Sequence, residues 1–325
     1  MQSSENTETA GTTPRSPWGG AVRLGLSLAF VGAIVWWADP SEVWSLLRDA
    51  SIIGVGAVIA LHMLDRVLMA YKWWRLLRVR DFDVKFGDAV RGYFLGSFIG
   101  AVIPFTGGAD LARIAAVRGK GANTEALIAS VALERALGAV SHLVFCVGAV
   151  AMLVAWRIDM EVSATALAGA AIGALVLLTA LLPLSFAVAE RFAARPESEG
   201  LAGRLVRLAG DYAAWRAHPR ELWIFLALTF VEGFYPILGY WIAAQALGLD
   251  VTLVQTAIAV PLAFLVARLP IPTFSMGPEQ LGFFWVATRL GIPEAAATAI
   301  TVLFLGTILI AFTPGALAWM NSRRD

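Results

Sequence analysis

The sequence predicts an all-α integral membrane protein, with six full transmembrane helices and two re-entrant helical hairpins in an inverted-topology repeat. Three observations lead there. Apolar residues make up 58% of the 325 positions and charged residues only 15%, where a soluble domain carries about 25% charged. Three stretches, 136–156, 162–189 and 295–322, contain no Asp, Glu, Lys or Arg at all. A helix needs about 20 apolar residues to cross a hydrocarbon core, and a chain of this size cannot cover several such helices with other protein. Finally, two apolar stretches near 88–116 and 252–290 are broken by Pro and Gly, and the basic residues fall unevenly around them.

Taken in order, residues 1–17 are polar, without apolar periodicity, and read as a disordered cytoplasmic tail. The run that follows ends in Trp36-Trp37-Ala38-Asp39-Pro40 without a small-x-small cleavage site, so it reads as an uncleaved first helix rather than a signal peptide. Full spans are expected near 20–38, 52–76, 122–156, 162–190, 221–247 and 292–320. In 201–217, Leu and Val alternate with Arg at helical spacing, so the cytoplasmic segment 191–220 reads as amphipathic, with a helix on the inner membrane surface. Cys146 stands alone inside an apolar run, so no intrachain disulfide forms and the thiol reads as a small buried hydrophobe.

Positively charged short loops stay cytoplasmic. The segments 72–91 and 191–220, both chain ends, and Arg113, Arg118 and Lys120 together hold 19 of the 25 basic residues. Only Arg48, Arg157 and Arg289 fall in the opposite loops. Both termini are then cytoplasmic. The first broken stretch has basic residues at both ends, so it enters from the cytoplasm and returns there. The second is flanked by Asp250 and by Arg289 and Glu294 on the sparse side, so it dips in from outside.

The expected plan is thus one repeat over 18–160, with its hairpin near 88–116, and a second over 161–325, with its hairpin near 252–290. FIGAVIPFTGGADLAR (Phe98–Arg113) can be laid beside FLVARLPIPTFSMGPE (Phe264–Glu279): in each, proline ends an apolar run, and Gly and then an acid follow. The candidate hairpin tips are Pro104, Gly107 and Gly108, and Pro270, Pro272 and Gly277. Two ordinary kinked helices would instead give eight spans and place 113–120 outside, against the charge pattern. Broken backbone is tolerated at membrane depth only when buried in protein or lining a wet cavity. Inverted repeats with discontinuous helices are a recurrent transporter plan, with binding near the midplane.

Ionisable groups within the apolar segments are the candidate site. They include His62, Asp65, Arg66, Glu134, Arg135, Glu232 and Arg268, with Asp110, Arg113 and Glu279 at the hairpins. A charge at the bilayer centre costs at least ~2.5–3.5 kcal/mol on insertion scales, so such groups should face inward and pair. Neighbours i and i+1 point about 100° apart on a helix, so Asp65–Arg66 and Glu134–Arg135 are expected to seek partners on other helices, Glu134 with Arg66 or Arg113. One reading is ion pairs that lock helix packing. The other is a polar cavity in which arginines hold an anionic headgroup, since guanidinium binds phosphate bidentately.

Other chemistry is not supported. His62, His142 and His218 lie on separate segments without metal-ligand spacing, and there is no CxxC, so no metal or cofactor is expected. No phosphate-binding GxxxxGK[ST] and no nucleophile elbow occurs, and no catalytic residue is assigned. The juxtamembrane basic stretches suit anionic lipid headgroups rather than nucleic acid.

Several motifs carry a family resemblance: Trp74-Arg75-Leu76-Leu77, Tyr93-Phe94-Leu95-Gly96, Pro104…Gly107-Gly108-Ala109-Asp110…Arg113, Glu134-Arg135, and Pro270…Pro272…Gly277-Pro278-Glu279 with Gly291. The chain resembles the lysylphosphatidylglycerol-synthase transmembrane, or flippase-like, family. That family includes the flippase half of the multiple peptide resistance factor and hopanoid-associated membrane proteins. The resemblance implies transfer of an anionic phospholipid or glycolipid between leaflets of a bacterial-type cytoplasmic membrane. The site would be Arg66, Asp110, Arg113, Glu134, Arg135, Glu232, Arg268 and Glu279. No stretch reads as the soluble aminoacyl-transferase domain of larger relatives, so lipid modification is not implied. A membrane-embedded lipid transferase using Asp110 or Glu134 as base, or a subunit positioning a lipid enzyme, is the alternative, and a homo-oligomer is compatible with either.

Overall fold

The computed structural model describes residues 39–102, 107–118, 121, 123–157, 163–196, 199–267 and 278–321. The first expected span, 20–38, lies outside these residues. Among the described residues the secondary structure is helical, without strands.

A short helix α1 (Pro40–Arg48) opens the described chain. Asp39 caps it by accepting a hydrogen bond from the Ser41 amide, and proline occupies the first position, where its missing N–H costs nothing. Then follow α2 (Ile52–Arg78), α3 (Phe86–Val102), α4 (Gly108–Val117), α5 (Thr124–Ala155) and α6 (Ala164–Ala193). The surface helix α7 (Gly200–Ala214) continues into a 3₁₀ turn, Trp215–Ala217, before α8 (Pro219–Ala246). The chain ends with α9 (Leu253–Ala267), α10 (Pro278–Arg289), α11 (Glu294–Ala311) and α12 (Thr313–Asn321). Side-chain caps fix three of the long helices: Ser51 accepts from the Gly54 amide at 3.3 Å, Asn123 from the Ala126 amide at 2.6 Å and Ser163 from the Ala166 amide at 3.4 Å.

Among the described residues, five helices are long and apolar enough to cross a membrane: Ile52–Arg78, Thr124–Ala155, Ala168–Ala193, Pro219–Ala246 and the combined α11–α12 stretch Glu294–Met320. The expected span 292–320 is therefore not one uninterrupted helix. It breaks at Phe312, because Pro314 cannot donate to the preceding turn. The Gly315 amide closes onto the Phe312 carbonyl at 2.9 Å instead. Pro236, by contrast, sits inside an unbroken α8.

The four remaining apolar helices are short: α3 has 17 residues, α4 has 10, α9 has 15 and α10 has 12. Over the described residues each is shorter than the about 20 residues typical of a span. They pack as two antiparallel pairs. In the first, Gly92 faces Arg113 and Ala116, and Gly96 and Gly100 face Ala109. Glycine at every fourth position lets the two backbones meet: a Cβ on Gly96 would lie 2.6 Å from the Ala109 carbonyl oxygen. Gly121 beyond α4 comes within contact of Asp83 before α3, so this pair begins and ends at one end of the molecule. In the second pair, Gly282 faces Ala263, and the Gln255 side chain reaches the Leu290 carbonyl at 3.0 Å.

The long helices α2 and α8 lie antiparallel between these pairs. Gly54 meets Ala246 at one end and Arg75 meets Glu221 at the other. The second pair begins and ends at the Gly54 end, where the Ser51 amide donates to the Ala246 carbonyl at 2.7 Å. The first begins and ends at the opposite end. Each pair also rests on the last span of the other half of the chain: α9 packs on α5, and α3 on α12, where a Cβ on Gly315 would overlap the Phe94 carbonyl.

Separate apolar clusters anchor the two pairs. One unites Trp73, Leu77, Tyr93, Ile114 and Val117 around α3–α4. The other unites Tyr240, Ile258, Phe283, Ala297 and Phe304 around α9–α10. The amphipathic helix α7 turns Gly203, Val206, Ala209 and Ala213 inward against α5 and α6. It is tied to the end of α2 by Arg80, which donates to the Asp211 backbone carbonyl at 2.8 Å and to its carboxylate at 3.0 Å.

Candidate functional site

The polar groups gather where the two apolar clusters meet. On α2 the positions 62, 65, 66, 69 and 72 recur every three or four residues, which places His62, Asp65, Arg66, Met69 and Lys72 along one side of the helix. Lys72, counted from the sequence among the juxtamembrane cations, is instead buried within α2, only 2% exposed. Its ammonium group pairs with Glu232 and donates to Thr229 Oγ1 at 3.1 Å on α8, with the Phe225 ring 4.8 Å away.

Arg113 is the second buried cation, 5% exposed. It lies on α4, one turn after Asp110, and bonds Glu134 Oε2 on α5 at 2.8 Å and Asp110 Oδ1 at 2.9 Å. The Tyr93 hydroxyl accepts from Arg113 and donates to Glu134 Oε1 at 2.6 Å, closing a three-residue network. The guanidinium lies between the rings of Trp73 and Tyr93, 5.1 and 4.7 Å from their centroids, which suits its weak hydration and planar face. Its Nε is buried without a hydrogen-bond partner. Arg135, with 66% of its side chain exposed, pairs with Asp110 from the other side.

These groups line a cavity of about 300 Å³. Its charged walls are Arg66, Lys72, Arg113 and Arg135 with Asp110, Glu134 and Glu232, and Asp65, the partner of Arg66, stands in the adjoining cavity. A second cavity of about 300 Å³ shares Arg66, Gly138, Thr229 and Glu232 with the first. It is otherwise more apolar, with Phe145, Phe264, Phe304 and Phe312 beside His62, Asp65 and Glu279. The Tyr240 hydroxyl donates to Glu279 Oε1 at 2.9 Å. Each volume reaches the lower end of small-molecule sites, about 300 Å³.

The geometry brings six of the eight sequence-derived candidates into one place: Arg66, Asp110, Arg113, Glu134, Arg135 and Glu232 line the first cavity. Glu279 lines the second. Arg268 lies outside the described residues, as do Pro104, Pro270, Pro272 and Gly277. Gly107 and Gly108 are described. Gly107 takes φ +91° as it leads into α4, a conformation that favours glycine, and Gly108 is the first helical residue.

Glu134 and Arg135 find separate partners across helices, Arg113 and Asp110. Asp65 and Arg66 do not: contrary to the expectation from their 100° divergence, they pair with each other. The long arginine stem curls round the helix to its neighbour, something a Cβ direction alone does not reveal. Lys72, Tyr93 and Tyr240 are the site residues that sequence reasoning missed. The helical spacing from His62 to Lys72 was a usable signal for the first. Tyr93 stands in the family motif Tyr93-Phe94-Leu95-Gly96 but, being neutral, does not stand out as a site residue, and Tyr240 gives no signal.

No curated protein matches the chain. A family model, however, spans nearly all of it, matching residues 24–315. This multi-pass membrane chain belongs to the family described as the lysylphosphatidylglycerol synthase TM region.

Proposed function

We propose that the protein moves an anionic phospholipid or glycolipid between the leaflets of a cytoplasmic membrane, its headgroup passing through the two adjoining cavities while the acyl chains stay in lipid. The observation that carries this reading is the first cavity. Arg113 and Lys72 are buried there with Arg66 and Arg135 at the walls, and Arg113 Nε is buried without a hydrogen-bond partner. An anionic phosphate would meet guanidinium and ammonium donors from several helices around this cavity.

The packing supports an inverted repeat with halves 18–160 and 161–325. Exchanging the halves turns α2 into α8, the α3–α4 pair into α9–α10, and α5 into α11–α12. Under that exchange, α9 on α5 becomes α3 on α12, and the antiparallel α2–α8 contact maps onto itself. The short helices then read as re-entrant hairpins dipping from opposite faces. The end rich in Arg78, Arg80, Arg216 and Arg220 would be cytoplasmic, as would both termini. Two hairpins meeting beside a central cavity offer the headgroup a path with two gates.

Reconstitution into vesicles with fluorescent phospholipids tests the proposal. The wild-type protein is expected to give protein-dependent leaflet exchange of an anionic lipid. Arg135→Gln, at the exposed wall, should slow it several-fold, and Arg113→Ala should abolish it. Extracted lipids should keep their mass, since no covalent step is involved. Wild-type vesicles indistinguishable from empty ones would overturn the reading.

A further inference from the structure

The carboxylates of the two cavities are not held alike. Asp110 has Arg113 and Arg135, Glu134 has Arg113, Glu232 has Lys72, and Asp65 has Arg66. Glu279 is different. It stands in the first turn of α10 and lines the second cavity, and among the described residues no Lys or Arg lies within ion-pair distance of it. Its partner is the Tyr240 hydroxyl at 2.9 Å. Tyr240 is itself fully buried, with the Phe283 and Phe304 rings tilted against it at centroid distances of 4.3 and 4.0 Å. The first cavity repeats the tyrosine-to-carboxylate bond at Tyr93–Glu134, but there Arg113 supplies the counter-charge.

Among the described residues the surroundings offer no substitute. The titratable and charged groups sharing the second cavity are His62, Asp65 and Arg66 on α2, His142 on α5, and Glu232 and Tyr235 on α8. Arg66 already holds Asp65. Neither α9 nor α11, which pack against α10, adds a described charged group at this wall. An ionised carboxylate among aromatic and aliphatic groups, with one neutral hydrogen bond, lacks the compensation that buried charge requires. The same carboxyl with a proton on it is satisfied: one oxygen accepts from Tyr240, and the other carries an O–H that can face cavity water.

We propose that Glu279 is a proton-binding site, taking a proton from water in the second cavity and returning it to water when that cavity opens to the other side. Nothing is consumed: Glu279–CO₂⁻ and hydronium become Glu279–CO₂H and water, and the reverse releases the proton. If the first cavity carries a singly anionic headgroup, as the exchange reading holds, this proton offsets the charge that the headgroup brings and lets a pH gradient bias lipid transfer. Only that consequence rests on the exchange reading; the proton site stands on the Glu279–Tyr240 geometry.

Two measurements test the pair separately. Infrared difference spectra of the full chain in lipid, titrated through pH, should show a protonated-carboxyl stretch. That band should vanish in Glu279→Gln, persist in Glu279→Asp, and move in frequency in Tyr240→Phe, which keeps the ring and removes the donor. A wild-type spectrum unchanged by Glu279→Gln would overturn the site. In vesicles carrying an anionic fluorescent phospholipid, wild-type exchange should change several-fold when an imposed pH gradient is reversed. Glu279→Gln should not respond, whatever its absolute rate. A titrating band with gradient-insensitive wild-type exchange would overturn the coupling and leave the site. A titrating band with no exchange under any gradient would instead sink the lipid-transfer reading.

Discussion

Lys72 places an ammonium group among helices at a depth where charge is tolerated only in pairs. Its head lies over the Phe225 ring, 4.8 Å from the centroid, and meets Glu232 and Thr229 on α8. Removing one member of such a pair strands the other and costs about 3–5 kcal/mol, whereas replacing both with apolar groups of similar volume is often neutral. Lys72→Met and Glu232→Leu should therefore each lower the melting temperature of the purified protein markedly, and the double variant should recover most of the loss. A double-mutant cycle on thermal unfolding in detergent measures this. Equal and additive losses would mean the two groups act independently. At this scale the sequence reveals charge but not partner. Asp110, Arg113, Glu134, Arg135 and Glu232 stand out as ionisable residues in apolar segments. Lys72 escapes because it sits three residues before Arg75, at the edge of a basic run. Only the periodicity from His62 separates it from the solvated arginines beyond. The pairing of Asp65 with Arg66 escapes for another reason: it depends on the reach of a flexible stem, which helix geometry does not fix.

Helices α3 and α4 meet through glycine. Gly92, Gly96 and Gly100 fall on one stripe of α3, and at Gly96 an added methyl would collide with backbone, 2.6 Å from the Ala109 carbonyl oxygen. A backbone atom cannot swing aside as a side chain can, so Gly96→Ala must push the helices apart. Overpacking of this kind costs typically about 1–3 kcal/mol. Because Ala109 and Asp110 line the first cavity, the displacement should also reduce lipid exchange. Gly148→Ala is the control, since nothing lies within 4 Å of the added carbon on α5 and alanine favours helix. It should leave both melting temperature and exchange close to wild type. Loss of equal size in the two variants would show that the stripe has no special contact. The short helices themselves were visible in the sequence, because Pro and Gly interrupt hydropathy near 104 and 270. The break at Phe312 was not, since 295–322 is free of charge throughout and mean hydropathy runs straight across it. Thr313-Pro314 was the only local sign, and Pro183, Pro236 and Pro261 show that proline inside an apolar helix need not end it.

The proposed inverted repeat is a statement about the whole molecule, and the charge pattern and the packing bear on it by different routes. The basic residues separate the two loop sets without any knowledge of structure. The antiparallel contact of α2 with α8 then fixes which loops share an end: Arg75 and Glu221 meet at one, Gly54 and Ala246 at the other. Lys72 and Arg113, two of the residues counted as cytoplasmic, are buried in the bundle, yet the asymmetry survives because Arg78, Arg80, Arg216 and Arg220 remain. Sequence similarity between the halves is too thin to prove a repeat alone, since apolar helices resemble one another whatever their origin. Orientation is open to direct measurement. In a Cys146→Ala background, single cysteines replace exposed Lys85, before α3, and exposed Asp250, before α9. An inverted arrangement requires that a membrane-impermeant maleimide label Asp250→Cys in intact spheroplasts, and label Lys85→Cys only once the membrane is opened. Labelling of both from the same side would remove the inverted repeat. It would take the opposed hairpins with it, and so the two-gated path on which lipid transfer through these cavities depends.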